Sequence, residues 1–268
     1  MTNFARFAIA AAAVLIVAVV GIGLLSRPGG SVGPGATATA SPTQAPSPSP
    51  GPTASPAALP GAAPLRAGSY FMTPFAGEDS SPCGPAPTGP TPCPDGTRDD
   101  SIRVSFSVPD GWAAAPFESV WLSGEAASPP AGGGMIFGRG GWLHSEPCLT
   151  DASGGPDVPV GPTVDDFTNA LAEHPLLDVT APVDVTLGGY SGTYVDLQVP
   201  SDISACNAYF PWEGGRGLFA QGNGHRWHLW IIDVDGVRVV VQTGDYAGTA
   251  PQRQAELRAI VDSIRITP

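Results

Sequence analysis

The stretch at residues 226–244, RWHLWIIDVDGVRVVVQTG, restricts the fold more than any other part of the sequence. Two apolar runs flank Asp235 and Gly236, and an Asp-Gly pair between such runs is a strong signal for a two-residue type I′ hairpin turn. A turn of this length fixes the register of the two strands. The predicted cross-strand pairs are Val234 with Val237, Asp233 with Arg238, Ile232 with Val239, and Trp230 with Val241.

The two faces of this predicted hairpin differ in polarity. The second face carries Leu229, Ile231 and Val240, which make it too apolar to face water entirely. The first face is apolar apart from one indole N–H and must belong to a core; it consists of Trp230, Ile232, Val234, Val237, Val239 and Val241. We therefore expect a sheet that is covered on one face and partly covered on the other.

The N-terminal segments predict a membrane-anchored protein. Residues 7–25, FAIAAAAVLIVAVVGIGLL, contain no charge, and as a helix they would span about 28 Å, close to the hydrocarbon thickness of a bilayer. Arg6 precedes this run, so residues 1–6 are predicted to be a short cytoplasmic tail and residues 7–25 an uncleaved transmembrane signal anchor. A cleaved signal peptide, which would give a secreted protein, is the alternative.

Composition divides the remainder of the chain in two. Residues 26–65 are rich in Pro, Ala, Ser, Thr and Gly, and they predict a disordered linker because such a segment buries too little apolar surface to fold. Residues 66–268 have the composition of a globular domain, which the anchor would place outside the cytoplasm. All 24 acidic residues lie in this part, and their field disfavours nucleic acid as a partner.

The four cysteines predict two disulfides, since an exported protein with an even number of cysteines usually pairs them. Cys83 and Cys93 flank a loop, CGPAPTGPTPC, in which a local bridge is expected. Cys148 and Cys206 would then connect two distant loops, although three connectivities are open. A zinc site is the weaker interpretation, because the chain lacks the close CxxC spacing of structural zinc sites.

Periodicity predicts a fold of class α+β. A helix at residues 164–174 would begin with a capping box of Thr163 and Asp166, and a second helix at residues 251–263 would be capped by Thr249. Alternating apolar residues predict strands at 102–108, 120–122, 135–143, 183–187, 190–199 and 264–266. We expect a mostly antiparallel sheet with the two amphipathic helices covering its faces, preceded by the transmembrane helix and the linker.

Several stretches resemble the Mog1/PsbP-like fold and a group of exported bacterial proteins of unknown function. The first resemblance is based on FSVPDGW at residues 106–112 and IVDSIRI at residues 260–266, and the second on GPTVDDFTNAL and DVTLGGYSGTYVDLQVP in the middle. The resemblance implies an antiparallel sheet between helical layers. It also implies a role as a lipoprotein, assembly factor or accessory subunit, and it brings no set of catalytic residues.

The histidines and aspartates of the central hairpin suggest metal binding, but each has a structural explanation. His225 and His228 are three residues apart on a predicted strand, so they point to opposite faces and cannot share an ion. Asp233 and Asp235 resemble the start of a calcium loop, but the distal ligands of that motif are missing. The Asp-Gly turn accounts for these aspartates.

The remaining polar candidates do not form a catalytic pattern. Ser191 is not in a nucleophile elbow, because the second glycine comes one position early. Asp165 and Asp166 lie in the first turn of a predicted helix, where carboxylates suit the helix dipole and neighbours do not face each other. The sequence therefore predicts no catalytic residue, no metal site and no cofactor.

Two tryptophans are candidates for a recognition surface. Trp142 and Trp212 lie in loop-like surroundings near Cys148 and Cys206, whereas most other tryptophans fall in apolar strands. We predict that these loops form the surface through which the domain recognises its ligand.

The sequence thus predicts a single-pass membrane protein whose extracytoplasmic domain is a non-catalytic binding or accessory module. Its partner would be an envelope protein or a small ligand. A cell-envelope hydrolase is the first alternative. An extracytoplasmic sensor is the second, and it is disfavoured by the short segment that precedes the predicted span.

Overall fold

The computed structural model describes residues 55–75, 102–115, 119–123, 131–150, 155–213 and 220–268. The predicted tail at 1–6, the predicted span at 7–25, most of the predicted linker, and Cys83 and Cys93 lie outside these ranges. Within them, no helix has the length and hydropathy needed to cross a membrane. The described residues all belong to one compact unit.

The described residues are mostly β-sheet, with two short helices. The helices are α1, Val164–Ala172, and α2, Pro251–Asp262. The strands are β1 (Ala57–Ala58), β2 (Ala63–Pro64), β3 (Gly68–Met72), β4 (Arg103–Val108), β5 (Trp112–Ala115), β6 (Ser119–Leu122), β7 (Gly133–Gly138), β8 (Trp142–Leu143), β9 (Cys148–Leu149), β10 (Val158–Pro159), β11 (Asp178–Val179), β12 (Val183–Leu187), β13 (Tyr190–Gln198), β14 (Ala208–Tyr209), β15 (Trp212–Glu213), β16 (Arg226–Val234), β17 (Val237–Asp245) and β18 (Arg265–Thr267).

The predicted hairpin β16–β17 lies inside a nine-stranded antiparallel sheet. The strand order is β11-β13-β16-β17-β7-β6-β5-β2, and β12 also pairs with β13. The register is the predicted one at all four pairs, from Val234 opposite Val237 to Trp230 opposite Val241. Asp235 has φ 53° and Gly236 has φ 89°, and a type I′ turn requires positive φ at both positions.

The prediction of an α+β fold with a sheet covered by two helices is wrong, because much of the cover is a second sheet. Strands β1, β3, β4 and β18 form this four-stranded sheet, which packs with α2 against the nine-stranded sheet. We call the apolar layer between them the α2-side core; it includes Val104, Phe106, Ile232, Val239, Val241, Leu257 and Ile260. The alternation at 102–108 indicated a strand correctly, but alternation does not show which strands pair.

The opposite face of the nine-stranded sheet packs against α1 and the short strands β8 and β15. This second apolar layer, the α1-side core, includes Phe167, Leu171, Trp212, Trp227, Leu229, Ile231 and Val240. Both faces of the hairpin are therefore buried. The partial cover expected over Leu229, Ile231 and Val240 is complete, since all three are fully buried.

The two predicted helix caps have different outcomes. At α1 the capping box is present: Thr163 Oγ1 accepts the N–H of Asp166 at 3.1 Å, and Asp166 Oδ2 accepts the N–H of Thr163 at 2.9 Å. At α2 the prediction is wrong, because the N-cap is Ala250 and makes no side-chain hydrogen bond. Thr249 Oγ1 instead accepts the N–H of Tyr246 at 2.9 Å and donates to the Gly132 carbonyl at 2.8 Å, so it ties the end of β17 to another loop.

The pairing of Asp233 with Arg238 holds for the backbone, but their side chains have other partners. Asp233 Oδ1 accepts the N–H of Gly236 at 2.6 Å and so supports the turn. The buried Arg238 guanidinium donates to four carbonyl groups that precede or begin α1: Arg139 at 2.6 Å, Gly140 at 2.7 Å, Thr163 at 2.7 Å, and Gly161. Arg238 therefore connects the hairpin to the helix.

The described chain begins before the predicted boundary at residue 66. Strands β1 and β2 fall within the stretch 26–65, and each pairs with a strand of the domain. Leu59 N–H donates to the Phe71 carbonyl at 2.7 Å, and Leu65 N–H donates to the Trp112 carbonyl at 2.8 Å. These segments are held by backbone hydrogen bonds and by Leu59 and Leu65, which pack into the core next to α2, and a composition rich in Pro and Ala does not reveal this.

The predicted disulfide between Cys148 and Cys206 is confirmed. It joins β9 to the loop that precedes β14, with the two Cα atoms 5.1 Å apart. Strands β9 and β14 also pair directly, with Tyr209 opposite Cys148. The bridge and the strand pair together close a long loop over the edge of the α1-side core.

Removal of this disulfide should lower the free energy of unfolding. The bridge spans 58 residues, and closing a loop of that length restricts the unfolded chain by about 4 kcal/mol in the chain-entropy treatment. We expect the double variant Cys148→Ser/Cys206→Ser to lose stability on that order in urea unfolding of the full chain. A loss below about 1 kcal/mol would show that the unfolded chain is already restrained around this loop.

Candidate ligand-binding site

The face of β16 that points toward α2 changes from apolar to polar along the strand. Ile232 and Val234 lie in the α2-side core, whereas Trp230, His228 and Arg226 continue the same face toward the start of the strand. Successive even positions share a face because side chains alternate along a strand. The polar end of this face therefore lies at the border of a hydrophobic core.

Neighbouring strands add polar side chains at the same level. On β13, Asp196 lies opposite His228; on β17, Thr243 lies opposite His228 and Asp245 lies opposite Arg226. Three adjacent strands thus bring two carboxylates, an imidazole and a guanidinium together. The cluster arises from strand register, without a contiguous motif in the sequence.

His228 lies between two carboxylates. Its Nδ1 is 2.5 Å from Asp196 Oδ1, and its Nε2 is 3.6 Å from Asp245 Oδ2. Burial alone would lower the pKa of His228, but hydrogen bonds and charges from Asp245 and Asp196 outweigh it, and the pKa is raised above its ordinary value. His228 therefore favours the charged imidazolium form in this site.

Asp245 is held by Arg226 as well as by His228. Arg226 Nε donates to Asp245 Oδ1 at 2.8 Å, and Arg226 Nη2 donates to the Tyr246 carbonyl at 3.2 Å. Burial would raise the pKa of Asp245, but hydrogen bonding to His228 and the charge of Arg226 lower it overall. Asp245 is thus a buried carboxylate that stays ionised between two cations.

Tyr194 completes the cluster on the β13 side. Its hydroxyl donates to Asp196 Oδ1 and lies 3.0 Å from His228 Nδ1. Burial, followed by hydrogen bonding to Asp196, raises the pKa of Tyr194 above its ordinary value. The phenol therefore stays protonated, and its ring lies 5.0 Å from the Trp230 ring at a tilt of 57°.

A cleft of about 420 Å³ opens between these strands and α2. Tyr194 and Trp230 contribute aromatic surface, and α2 contributes both apolar and charged groups. From the sheet the lining residues are Tyr194, Arg226, His228, Trp230, Thr243 and Asp245. From α2 they are Gln254, Leu257, Arg258 and Asp262. Its volume lies in the range of small-ligand sites, about 300–1,000 Å³.

His225 lies on the other face of the sheet, as the spacing of the two histidines predicted, but it is not an edge residue. Only 2% of it is exposed, and its ring stacks on Tyr246 with centroids 4.4 Å apart. Its Nδ1 accepts the indole N–H of Trp227 at 2.9 Å, and its buried Nε2 has no hydrogen-bond partner among the described residues. Burial lowers the pKa of His225 to about 4, despite the opposing charge of Asp245.

The other predicted site residues lie away from the cleft. Trp212 is 0% exposed and packs edge to face against Phe167 in the α1-side core, so it cannot form part of a recognition surface. Trp142 is half-buried in β8 and stays a candidate. Asp165 and Asp166 lie in the first turn of α1, and Ser191 is exposed on β13. In the described part of the chain, no group of three His, Cys, Asp or Glu residues is placed to hold a metal ion.

Sequence reasoning did not identify the cleft cluster. It considered His228 only together with His225, and it assigned Asp245, Arg226 and Asp196 no role. One local signal was present: Arg226, His228 and Trp230 alternate with the apolar residues of β16 and so share one face. The contribution of β13 had no such signal, because its pairing with β16 is set by the tertiary fold.

Comparison with solved structures yields weak similarity. No protein-family model and no characterised protein matches the chain. Among solved structures, LpqN of Mycobacterium tuberculosis, described as involved in cell envelope biogenesis, aligns with a TM-score of 0.35 and 14% identity, over 63% of this chain and 85% of that chain. Neither this alignment nor any family model supports the expected Mog1/PsbP-like fold.

The buried neutral His225 should make the protein sensitive to mild acid. Its pKa is about 4 in the folded chain and 6.5 when unperturbed. Between these values the unfolded chain binds the proton and the folded chain does not, so the free energy of unfolding falls as the pH drops from 6.5 toward 4. The full loss is roughly 3 kcal/mol in the free energy of unfolding. The variant His225→Phe retains ring stacking on Tyr246 and should flatten the slope of stability between pH 6.5 and 4.

Urea unfolding at several pH values measures this slope. The variant loses the acceptor of the Trp227 indole N–H and should be less stable at every pH, but that offset leaves the slope readable. Parallel curves for wild type and variant between pH 4 and 6.5 would show that His225 does not titrate in this window.

Proposed function

We propose that the described domain is an extracytoplasmic binding module that holds a small ligand in the cleft between the nine-stranded sheet and α2, without converting it. The observation that carries this proposal is the polar cluster at the edge of the α2-side core. Burial of charged groups is costly unless they are paired, and an apolar set of side chains would serve packing as well or better. A binding site would explain the cluster, because its paired charges form a preorganised wall for a ligand.

The extracytoplasmic location rests on the disulfide. Cys148 and Cys206 are bridged, and such bonds persist in oxidising compartments but are rare in the cytosol. The chain has a formal net charge of −12, which argues against a nucleic acid as the ligand. An envelope accessory role is consistent with both observations.

The contacts of His228 support binding without catalysis. His228 has its two ring nitrogens directed at the carboxylates of Asp196 and Asp245, which hold it within the sheet. Among the described residues its side-chain partners are Asp196, Asp245 and the protonated Tyr194, and none of these is a serine, threonine or cysteine nucleophile. The cluster therefore supports ligand positioning better than group transfer.

A hydrolase is the second candidate, because one observation favours it. The Asp196–His228 contact resembles the carboxylate–histidine half of a catalytic triad, and Thr243 lies beside His228 on the next strand. In this alternative, a ligand incubated with the protein would be cleaved, and His228→Gln would abolish the cleavage.

A ligand screen with two tryptophan variants tests the binding proposal. Small polar molecules are screened by saturation-transfer NMR against the full chain, against Trp230→Leu in the cleft, and against Trp142→Leu as the matched control. We expect binding that is weakened about 10-fold by Trp230→Leu, which removes an aromatic face and an indole donor, and is unchanged by Trp142→Leu.

Binding that is weakened by Trp142→Leu and unchanged by Trp230→Leu would place recognition at the Trp142 loop and overturn the proposed site. A screen in which no molecule binds would overturn the binding function itself. Mass spectrometry of the same mixtures distinguishes binding from hydrolysis: intact ligands are expected, and a product that disappears with His228→Gln would favour the hydrolase.

A further inference from the structure

The charges that line the cleft fall into two groups. Arg226 is paired with Asp245, and His228 with Asp196, so these four groups neutralise one another within the sheet. Asp245 retains a polar edge toward the cleft, but its charge is already compensated. A ligand would meet this wall as a set of fixed dipoles without a net charge.

The second group consists of Arg258 and Asp262 on α2. Both residues are exposed and line the cleft, and no hydrogen bond or ion pair joins either side chain to another described residue. They are four residues apart and so lie on the same face of the helix, with α-carbons separated by about 6 Å along the axis. An arginine placed before an acidic residue is the weaker order for such a pair, which is consistent with the two side chains remaining apart.

This arrangement selects against ligands of a single charge. An anion drawn to Arg258 would also meet Asp262, and a cation drawn to Asp262 would also meet Arg258. A ligand that carries both charges satisfies both helix side chains at once. Two residues of extended peptide span about 7 Å, close to the separation of Arg258 and Asp262 along α2.

The remaining lining suits the middle of such a ligand. Trp230, Tyr194 and Leu257 provide an apolar surface for a side chain, and Gln254 carries both an amide donor and an amide acceptor. We propose that the cleft binds a zwitterion of dipeptide size, with its carboxylate on Arg258 and its ammonium group on Asp262. This inference rests on the proposed binding function of the cleft.

Four forms of one dipeptide provide the test. The full chain is titrated by calorimetry at neutral pH and low ionic strength with Ala-Leu, N-acetyl-Ala-Leu, Ala-Leu amide and N-acetyl-Ala-Leu amide. These probes differ only in their terminal charges. We expect the free dipeptide to bind at least about 10-fold more tightly than each blocked form, because each block removes one charge-assisted contact.

Charge-neutral variants assign each end of the ligand. Arg258→Gln should abolish the preference for the free carboxylate over the amide and leave the preference for the free amine. Asp262→Asn should do the opposite. Arg66→Gln and Asp184→Asn, at exposed positions outside the cleft lining, are the matched controls and should preserve both preferences.

The outcomes separate this inference from the proposed function. Equal binding of the four forms, tighter binding of a blocked form, or no binding of any form overturns the zwitterion assignment. The assignment is also overturned if the preferences survive both helix variants. In each case the proposed binding function is retained if the ligand screen finds other molecules whose binding Trp230→Leu weakens. If that screen also finds no such molecule, both the binding function and the zwitterion assignment are rejected.

Discussion

The register of the β16–β17 hairpin is the constraint on which the rest of the molecule depends. Because side chains alternate along a strand, the two-residue turn at Asp235 and Gly236 decides which residues of β16 face α1 and which face α2. A slip by one residue would move Leu229 and Ile231 out of the α1-side core and put His228 there. The apolar packing on both faces thus fixes the polar cluster at the cleft as firmly as it fixes the core.

The polar cluster is coupled to that packing through shared partners. Asp245 contacts both Arg226 and His228, and the raised pKa of His228 depends on Asp245 and Asp196 together. Loss of one carboxylate would remove a hydrogen-bond acceptor of His228 and would lower its pKa, because burial would then be opposed by one carboxylate only. The cluster therefore behaves as one unit, and a rigid wall of this kind lowers the ordering cost of binding a ligand.

The parts of the fold that the sequence predicted are those with local determinants. The hairpin register follows from an Asp-Gly pair, and the start of α1 follows from Thr163 and Asp166, three residues apart. The second sheet could not be predicted, because β4 pairs with β3 and β18, and the latter lies some 160 residues along the chain. The same limit applies to the cleft, since the contact between Asp196 and His228 is made by register between two strands that no turn connects. The prediction that Thr249 caps α2 was wrong for a related reason. Its hydroxyl hydrogen-bonds to Gly132 and Tyr246 instead, and no neighbouring residue in the sequence indicates these partners.

The two histidines of this hairpin show how position on a strand determines chemistry. His225 and His228 are three residues apart, yet burial lowers the pKa of one and two carboxylates raise the pKa of the other. His225 is therefore a neutral packing residue, while Asp196 and Asp245 favour the charged form of His228 at the cleft wall. Because these carboxylates lie inside the sheet, a bound ligand need not neutralise His228. The selectivity of the cleft then depends on the exposed charges of α2, which can change without disturbing either core.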